Sequence, residues 1–304
     1  FEKAKSDPLI IDKGAFYGAR TTYIAPHFVE MVGKLIKSNS EEFAALKGYD
    51  LYRDGLTIYT TLNARIQRYI EKAASEHFGR YQKIFNKSFS WAKNKQALEY
   101  HLMKAIEDNP LYIAETANSK KREIERSLRR NKAFVDSVKN AVTTVQTGVV
   151  VIDPKTGAIL GMMGASPKFM RENPSAKYSL NHATQIRRQP GSSFKPFLYA
   201  SALEQGMSPN SPVECGPYSY KMPEGGVWSP KGNGGCTDGD TVTLADGLAR
   251  SINTVAAIFI TDQATTEKVI AVAKRLGIDA RYLKPVPSLS LGSGEVSPIE
   301  MTSA

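Results

Sequence analysis

One stretch of the sequence decides the fold, and it reads Arg187-Arg188-Gln189-Pro190-Gly191-Ser192-Ser193-Phe194-Lys195-Pro196-Phe197. Its Pro-Gly pair favours a turn, and from Phe194 onward the apolar residues recur at helical spacing. Pro196 falls in the first helical turn, where proline is tolerated because the missing N–H would have no partner there. Ser192 and Lys195 are three residues apart, so we expect them on one face of the helix start.

Ser192 and Lys195 have the residue types of a nucleophile and its base. A serine hydroxyl is a weak nucleophile until a neighbouring group takes its proton, and a partly desolvated lysine amine can do so. The positive end of a helix favours both the neutral amine and an oxyanion nearby. The spacing alone is not specific, because Ser90-Trp91-Ala92-Lys93 repeats it within a predicted polar helix.

A second candidate motif, Ser251-Ile252-Asn253, interrupts the helical periodicity of residues 243–262. Its hydroxyl can pass a proton between Lys195 and a leaving group, and its amide can orient the lysine and hold a substrate carbonyl. The same pattern occurs at Ser179-Leu180-Asn181 and Ser208-Pro209-Asn210. We favour the first copy because it breaks a helix downstream of the nucleophile.

The clearest β pattern precedes the nucleophile. Val149 to Ile152 and Ile159 to Met163 are apolar runs of strand length, and the turn residues between them predict a hairpin. Both strands are apolar on both faces, so helices are expected to cover the hairpin on two sides. The turn spells Lys155-Thr156-Gly157, which we interpret as ordinary turn chemistry.

Upstream of the hairpin the sequence changes from a strand pattern to helix patterns. The alternating, β-branched run Leu56 to Leu62 predicts a strand, and Asn63 is expected to cap the helix that follows. A shorter helix is predicted from His27 to Ile36. The residues predicted to form the packed face of the helix after Asn63 are Ile66, Tyr69, Ile70 and Ala73.

Downstream of the nucleophile a helix should end at Gly206, and another should run from Thr266 to Leu276. Residues 208–240 are rich in Gly, Pro, Asn and Ser and predict a long loop. This loop contains both cysteines, Cys215 and Cys236. They are either free thiols or a loop-closing disulfide, and the sequence leaves both alternatives open. The residues predicted to form the packed face of the first helix are Phe194, Phe197, Leu198 and Ala202.

The composition allows a folded core but does not choose a partner. Hydrophobic residues make up 41% of the 304 residues, and the net charge is +10. A basic chain can bind nucleic acid, anionic lipid or an acidic polymer. Residues 80–145 mix Lys and Arg with polar helix formers. A solvated helical face is the ordinary explanation for such a segment, and a basic, partner-binding insertion is the alternative.

Five ordered segments together resemble class A, bifunctional penicillin-binding proteins. They cover the nucleophile stretch, its lead-in, the second motif, a segment beyond that motif and the strand that enters the domain. In the same order they are Arg187–Phe197, Asn181–Gln185, Leu248–Thr254, Leu291–Pro298 and Asp54–Leu62. The resemblance spans roughly residues 1–80 and 147–304, and agreement over this many segments is far more specific than any single motif.

The resemblance implies an α+β fold of the penicillin-binding and serine β-lactamase type, with an antiparallel sheet flanked by helices. It implies an interdomain linker region (1–62), a helical insertion (63–146) and a transpeptidase domain (147–304), incomplete at its C-terminus. The implied activity is that of a D,D-transpeptidase, which cross-links peptidoglycan stem peptides through an acyl-enzyme. The implied site residues are Ser192, Lys195, Ser251 and Asn253, with no metal and no organic cofactor.

The resemblance also implies partners and a location. Stem peptides and glycan strands are the expected substrates, and β-lactams are expected to acylate Ser192 covalently. No nucleic acid is implied. The location is extracytoplasmic, with a membrane anchor upstream of this chain. The alternatives are a D,D-carboxypeptidase, which uses water as the acceptor, and a β-lactam-binding sensor domain.

The family's third motif, Lys-Thr-Gly, should follow the second, and none follows Asn253 in this sequence. The chain begins without Met and ends about one turn after the helix start Ser297-Pro298-Ile299-Glu300. We therefore expect a piece of a longer protein that stops before the third motif. Because losing one oxyanion donor costs about 2.7–4 kcal/mol of transition-state stabilisation, we expect this piece alone to acylate slowly.

Overall fold

The computed structural model describes residues 24–38, 41–46, 48–51, 53–172 and 180–304. Residues 1–23, which open the predicted linker region, and Ser179 lie outside the described residues. No helix in these ranges is both long and apolar enough to cross a bilayer. In chain order the α-helices of these ranges are α1 (Pro26–Lys37), α2 (Ala64–Ser88), α3 (Lys95–Glu107), α4 (Pro110–Ala114), α5 (Asn118–Arg130), α6 (Lys132–Thr143), α7 (Pro167–Glu172), α8 (Lys195–Glu204), α9 (Leu244–Ala249), α10 (Asn253–Ile258), α11 (Thr266–Arg275) and α12 (Pro298–Ser303).

The strands are short and pair antiparallel as β1–β2, β3–β6 and β4–β5. In chain order they are β1 (Val149–Ile152), β2 (Ile159–Met163), β3 (Pro212–Glu214), β4 (Tyr220–Lys221), β5 (Val227–Trp228) and β6 (Thr241–Thr243). The α+β class is confirmed. The prediction of one long loop over 208–240 is wrong in part, because β3, β4 and β5 lie within it. Strands of two or three residues carry too little periodicity to be seen in the sequence.

The predicted hairpin forms, with Val149 opposite Met163 across β1 and β2. In its turn the Asp153 carboxylate accepts hydrogen bonds from the Lys155 N–H at 3.1 Å and the Thr156 hydroxyl at 2.8 Å. These bonds hold down the pKa of the Asp153 carboxyl, the largest effect coming from the Lys155 backbone N–H. The Lys-Thr-Gly sequence is therefore a turn, as predicted.

Helices cover both faces of the hairpin, also as predicted. Neighbouring side chains on a strand point to opposite faces. Met162 accordingly packs with Phe28 of α1 and Ile299 of α12, whereas Met163 packs with Ile70 of α2. The strand that leads to the nucleophile segment is thus held between α2 on one face and, on the other, α1 and α12 from the two ends of the described chain.

The predicted strand Leu56 to Leu62 is wrong: this segment is not in a regular strand. It contacts the edge of β2 only at its end, where the Asn63 N–H donates to the Leu160 carbonyl and the Thr61 hydroxyl to the Ile159 carbonyl. A β-branched run becomes a strand only where a partner lies along it. The prediction that Asn63 caps α2 is confirmed, because its side chain accepts two N–H groups of the first turn.

The packed face of α2 differs from the predicted one. Gln67, Ile70 and Ala74 are buried, whereas Tyr69 and Ala73 are exposed. The cause is Gln67, whose side-chain oxygen accepts the backbone N–H of Met162 on β2 at 3.0 Å. A polar residue that satisfies a strand backbone rotates the helix away from the face that hydrophobicity alone selects.

The core of the C-terminal half surrounds α8 and α10. The predicted packed face of α8 is confirmed, because its four residues are all buried: Phe194, Phe197, Leu198 and Ala202. Val255 and Ala256 of α10 join the same cluster. Gly206 follows α8 in a left-handed conformation at φ 89°. Another residue there would be strained, which explains why the helix stops where the sequence predicts.

The helices α3 to α6 pack mainly on one another. Leu102, Ile106 and Val138 are buried between them, and α5 buries no residue. Pro110 begins α4, at the first helical position, where a missing N–H leaves no hydrogen bond unmade. Gln82 attaches α2 to the end of this group: its amide donates to the Thr143 carbonyl and accepts the Val145 N–H.

Candidate active site

A tight turn presents Ser192 at the start of α8. Gly191 adopts φ 58°, and residues 191–194 form a 3₁₀ turn that continues into the helix. The Lys195 N–H donates to the Ser192 carbonyl, which fixes the two residues one turn apart. The Ser192 side chain is exposed, and its hydroxyl forms no hydrogen bond within the part of the chain that the structure describes. It is therefore accessible to a reactant from solvent.

Lys195 is buried and joins the two predicted motifs. Its side chain is 1% exposed, and its Nζ donates to the Asn253 Oδ1 at 2.8 Å, the Ser251 carbonyl at 2.7 Å and the Ser251 hydroxyl at 3.1 Å. Burial lowers the pKa of the Lys195 amine, because the ammonium form loses hydration. Three of the four predicted site residues thus share one hydrogen-bonded cluster, and Ser192 lies one helical turn before it.

Ser251 holds its place through an unusual backbone conformation. Its φ of 52° lies in the left-handed region, which a non-glycine residue adopts at a cost of about 1–3 kcal/mol. Ile252, which follows, is buried, and the Ser251 and Ile252 N–H groups cap α9 by donating to Leu248 and Gly247. This conformation directs both the carbonyl and the hydroxyl of Ser251 toward the lysine.

Residues 231–236, which we call the strap, hold Asn253 in place through their backbone carbonyls. Its Nδ2 donates to the Lys231 carbonyl at 2.7 Å, and its backbone N–H donates to the Gly232 carbonyl at 2.9 Å. Because the amide nitrogen is committed to the strap, its oxygen must face Lys195. Gly232 has φ 94°, and a Cβ there would lie 3.1 Å from the Asn253 nitrogen, so the close approach requires glycine.

A disulfide ties the strap to the core. Cys215 and Cys236 are bonded, with their Cα atoms 5.7 Å apart, which decides between the two alternatives that the sequence left open. The Cys215 carbonyl accepts the Thr254 hydroxyl at 2.7 Å, next to Asn253. Within the strap, the Gly234 carbonyl accepts a hydrogen bond from the Arg250 guanidinium at 2.6 Å. The strap is thus held at both ends against the segment that carries Ser251 and Asn253.

Two long-range contacts that sequence reasoning missed support the nucleophile segment. Gly292 lies so close to Gly191 that a Cβ on it would be 2.1 Å from the Gly191 carbonyl oxygen. Arg187 forms two hydrogen bonds with the Glu300 carboxylate, at 2.7 and 2.8 Å, and its guanidinium lies over the Tyr282 ring. In the sequence, the only sign of these contacts was the resemblance of Leu291–Pro298 to the family, and that resemblance assigned no role to the segment.

The competing copies of the two motifs lie elsewhere. Lys93 is exposed, and Ser90 to Lys93 forms a turn between α2 and α3 rather than the predicted helix. Ser208 to Asn210 belongs to an exposed turn after α8. The His182 ring hydrogen-bonds to the Gly164 carbonyl at 2.7 Å. None of these residues belongs to the Lys195 cluster.

A cavity of about 600 Å³ opens on the Ser193 side of the nucleophile segment. Gln189 and Ser193 line one wall, Thr147 and Gly148 before β1 line another, and Met301 of α12 closes it. Its lining is mostly apolar, with backbone groups at its edge. The cavity therefore lies between the exposed Ser193 and the residues that lead into β1.

Residues 147–292 match the family model of the penicillin-binding protein transpeptidase domain. This part of the chain belongs to the family of penicillin-binding transpeptidase domains. The matched residues include the hairpin, the nucleophile segment, the strap and the Lys195 cluster. The resemblance seen in the sequence is therefore confirmed.

Two sequence relatives named penicillin-binding protein 1A agree with this assignment. The chain is 30% identical over its whole length to penicillin-binding protein 1A of Aquifex aeolicus, of which it covers 42%. It is 34% identical to penicillin-binding protein 1A of Neisseria lactamica over 53% of this chain and 19% of that one. The crystal structure of penicillin-binding protein 1A from Haemophilus influenzae matches 51% of this chain and 22% of that one, at 30% identity and a TM-score of 0.45. The chain thus spans less than half the length of these relatives.

Proposed function

We propose that this chain is the D,D-transpeptidase region of a bifunctional cell-wall synthase and that Ser192 carries the acyl-enzyme. The observation that supports this most directly is the buried amine of Lys195, bonded to both Ser251 and Asn253 one turn from an exposed serine. A serine, a desolvated amine and a second hydroxyl in contact with that amine are the parts that acyl transfer needs.

In the proposed acylation, the Ser192 oxygen attacks the carbonyl of the penultimate D-Ala of a stem peptide. The proton of the hydroxyl passes to the neutral amine of Lys195. Asn253 keeps the amine in place by accepting one of its remaining N–H groups, and the second N–H of its Nδ2, beside the one donated to Lys231, is the proposed donor to the substrate carbonyl. Ser251 relays the proton to the nitrogen of the departing D-Ala, so the amide bond breaks as the ester to Ser192 forms.

In the second step an amine of a neighbouring stem peptide attacks the ester. Its nitrogen forms the new amide, its proton returns through the Ser251 and Lys195 relay, and the Ser192 hydroxyl is regenerated. The Ser192 backbone N–H is one proposed oxyanion donor. β-Lactams acylate the same oxygen in this scheme. The Cys215–Cys236 disulfide supports an extracytoplasmic location, because disulfides persist in oxidising compartments, and a membrane anchor upstream of this chain is part of the proposal.

Fluorescent penicillin labelling of the full-length protein tests this proposal. Ser192→Ala should abolish labelling, whereas Ser193→Ala, which removes the adjacent exposed hydroxyl, should leave it near the wild-type level. Labelling that survives Ser192→Ala would contradict the assignment of the nucleophile. Product analysis with an added amine acceptor then separates a transpeptidase from a carboxypeptidase, which would release only the hydrolysed peptide, and from a sensor, which would release nothing.

A further inference from the structure

The positive charge of this protein is concentrated in one part of the chain. Residues 63–146 contain 17 Lys and Arg against nine Asp and Glu, a net charge of +8 out of +10 for the whole chain. Within this part the helix α2 differs from α5. Both helices carry six basic and two acidic residues, but the basic residues of α5 are spread around its axis, and Arg129 is paired with both Glu99 and Glu125. No basic residue of α2 forms a salt bridge with the described residues.

Six basic residues of α2 lie on one face of the helix. At 100° per residue they fall within an arc of about 120°, opposite the buried Gln67, Ile70 and Ala74. The stripe, as we call this set, extends about 33 Å along the helix. All six side chains are exposed, and none forms a salt bridge with the described residues. The six residues are Arg65, Arg68, Lys72, Arg80, Lys83 and Lys87.

The stripe costs the helix stability. Like charges three or four residues apart repel each other by about 0.2–0.5 kcal/mol per pair, and α2 has four such pairs within the stripe. Glu71, three residues after Arg68, and Glu76, four residues from both Lys72 and Arg80, offset part of this repulsion. The excess of positive charge that remains on this face suits a partner of opposite charge lying along it.

The C-terminal half of the stripe borders a cavity with further cations. This cavity of about 230 Å³ lies between α2 and α7 and is lined by Lys83, Lys168 and Arg171 over an apolar floor that includes Phe78. Lys168 is also 4.0 Å from the Glu172 carboxylate. Toward the other end Tyr69, which is 64% exposed, offers an aromatic face that a sugar ring can cover.

We propose that the α2 stripe binds an un-cross-linked glycan strand through the carboxylates of its stem peptides. The inference rests on the proposed function, whose substrate is such a strand. Charge complementarity argues for it, because a linear polymer with repeated carboxylates matches a straight row of unpaired cations. The strap and Lys195 cluster supply the chemistry, and the stripe holds the polymer that delivers the peptides.

Strand binding by two charge-matched variants of the full-length protein tests this inference. One variant removes four cations of the stripe: Arg68→Gln, Lys72→Gln, Lys83→Gln and Lys87→Gln. The control removes four exposed cations of α5: Lys120→Gln, Arg122→Gln, Arg126→Gln and Arg130→Gln. Both lose the same net charge, so a general effect of charge cancels between them.

We expect the stripe variant to bind purified, un-cross-linked strands roughly tenfold more weakly and the α5 variant to bind as the wild type does. Wild-type affinity should fall as salt rises, and it should be lost for strands whose carboxylates have been converted to methyl amides. Equal losses in both variants, or no loss in the stripe variant, would overturn the inference. Binding to phosphatidylglycerol vesicles is measured in parallel. A stripe variant that loses vesicle binding but still binds strands as the wild type does would also overturn the inference.

Penicillin acylation separates this inference from the proposed function. Both variants should label with penicillin at the wild-type rate, because the stripe does not belong to the Lys195 cluster. If the stripe variant binds strands normally and is labelled normally at Ser192, the inference about the stripe is overturned and the proposed function stands. If the wild-type protein is not labelled at Ser192, the proposed function is overturned, whether or not the strands bind.

Discussion

The helices α2 and α8 present lysines to opposite surroundings. In α8 six of ten residues are buried, among them Lys195, whose amine is bonded to Ser251 and Asn253. In α2 three of 25 residues are buried, and its lysines and arginines face solvent. The difference teaches that a basic residue becomes a candidate base or a candidate docking group through its burial and its partners. The local sequence motif does not decide this.

The largest effect is expected from removing the buried amine of Lys195. Lys195→Met keeps the volume and loses the base, so we expect penicillin acylation to fall about 10²- to 10⁴-fold. Stopped-flow or gel-based acylation kinetics would measure it. Lys93→Met alters the exposed Ser-x-x-Lys copy and should leave the rate unchanged. A rate for Lys195→Met within a few fold of the wild type would refute the role of Lys195.

The pH dependence of acylation tests the same amine without changing the fold. A base must be neutral to accept a proton, so the rate should fall as pH drops through the pKa of Lys195 in the folded protein. Because burial lowers this pKa, the midpoint should lie below the ordinary lysine value of 10.5. A pH–rate profile checks this, and the limb should disappear in Lys195→Met. A midpoint at or above 10.5 would contradict the expectation.

Removing the disulfide tests whether the strap maintains the buried surroundings of α8. Cys215→Ser with Cys236→Ser should destabilise the protein by about 3 kcal/mol, the loop-closure value for a loop of this length. It should also slow acylation, because the Lys231 carbonyl no longer fixes the Asn253 amide. Denaturant unfolding and acylation kinetics measure the two effects. Wild-type acylation by a folded double variant would show that the strap does not position Asn253.

Gly292→Ala tests the backbone contact beneath the nucleophile. The new Cβ would meet the Gly191 carbonyl at 2.1 Å, in a residue whose φ is 74°. We expect a loss of about 1–3 kcal/mol in the free energy of unfolding and slower acylation. Gly79→Ala on α2, where a Cβ meets nothing within 4 Å, is the matched control and should not destabilise the protein. Equal stability of the two variants would argue against this contact.

The smallest expected effect is a gain in stability on the exposed helix. Arg68→Gln removes repulsion from Arg65 and Lys72 and a smaller attraction to Glu71, so the free energy of unfolding should rise by about 0.2–0.5 kcal/mol at low salt. Arg122→Gln on α5, which has both Glu125 and Arg126 as neighbours, should give no gain. Thermal unfolding at two salt concentrations measures this, since added salt should erase the difference. A destabilised Arg68→Gln would indicate that the stripe supports the helix.

Much of the local structure follows from the sequence. The β1–β2 hairpin, the Asn63 cap, the buried face of α8 and the capping box at Ser297 all form as predicted. Each depends on residues close together in the chain, at most fourteen positions apart across the hairpin, so their interactions follow from the local sequence. The same local logic failed for Leu56 to Leu62, because a strand needs a neighbour that the segment itself does not supply.

The sequence by itself determined the family, the α+β class and the order of the candidate site residues. Tertiary structure decided which serine motif lies near which lysine, since Lys195 meets Ser251 and Asn253 across more than 50 residues. It also decided the Cys215–Cys236 pairing and the packed face of α2. The physical reason is that burial, and with it the lowered pKa of the amine, arises from segments distant in the chain, which no local pattern records.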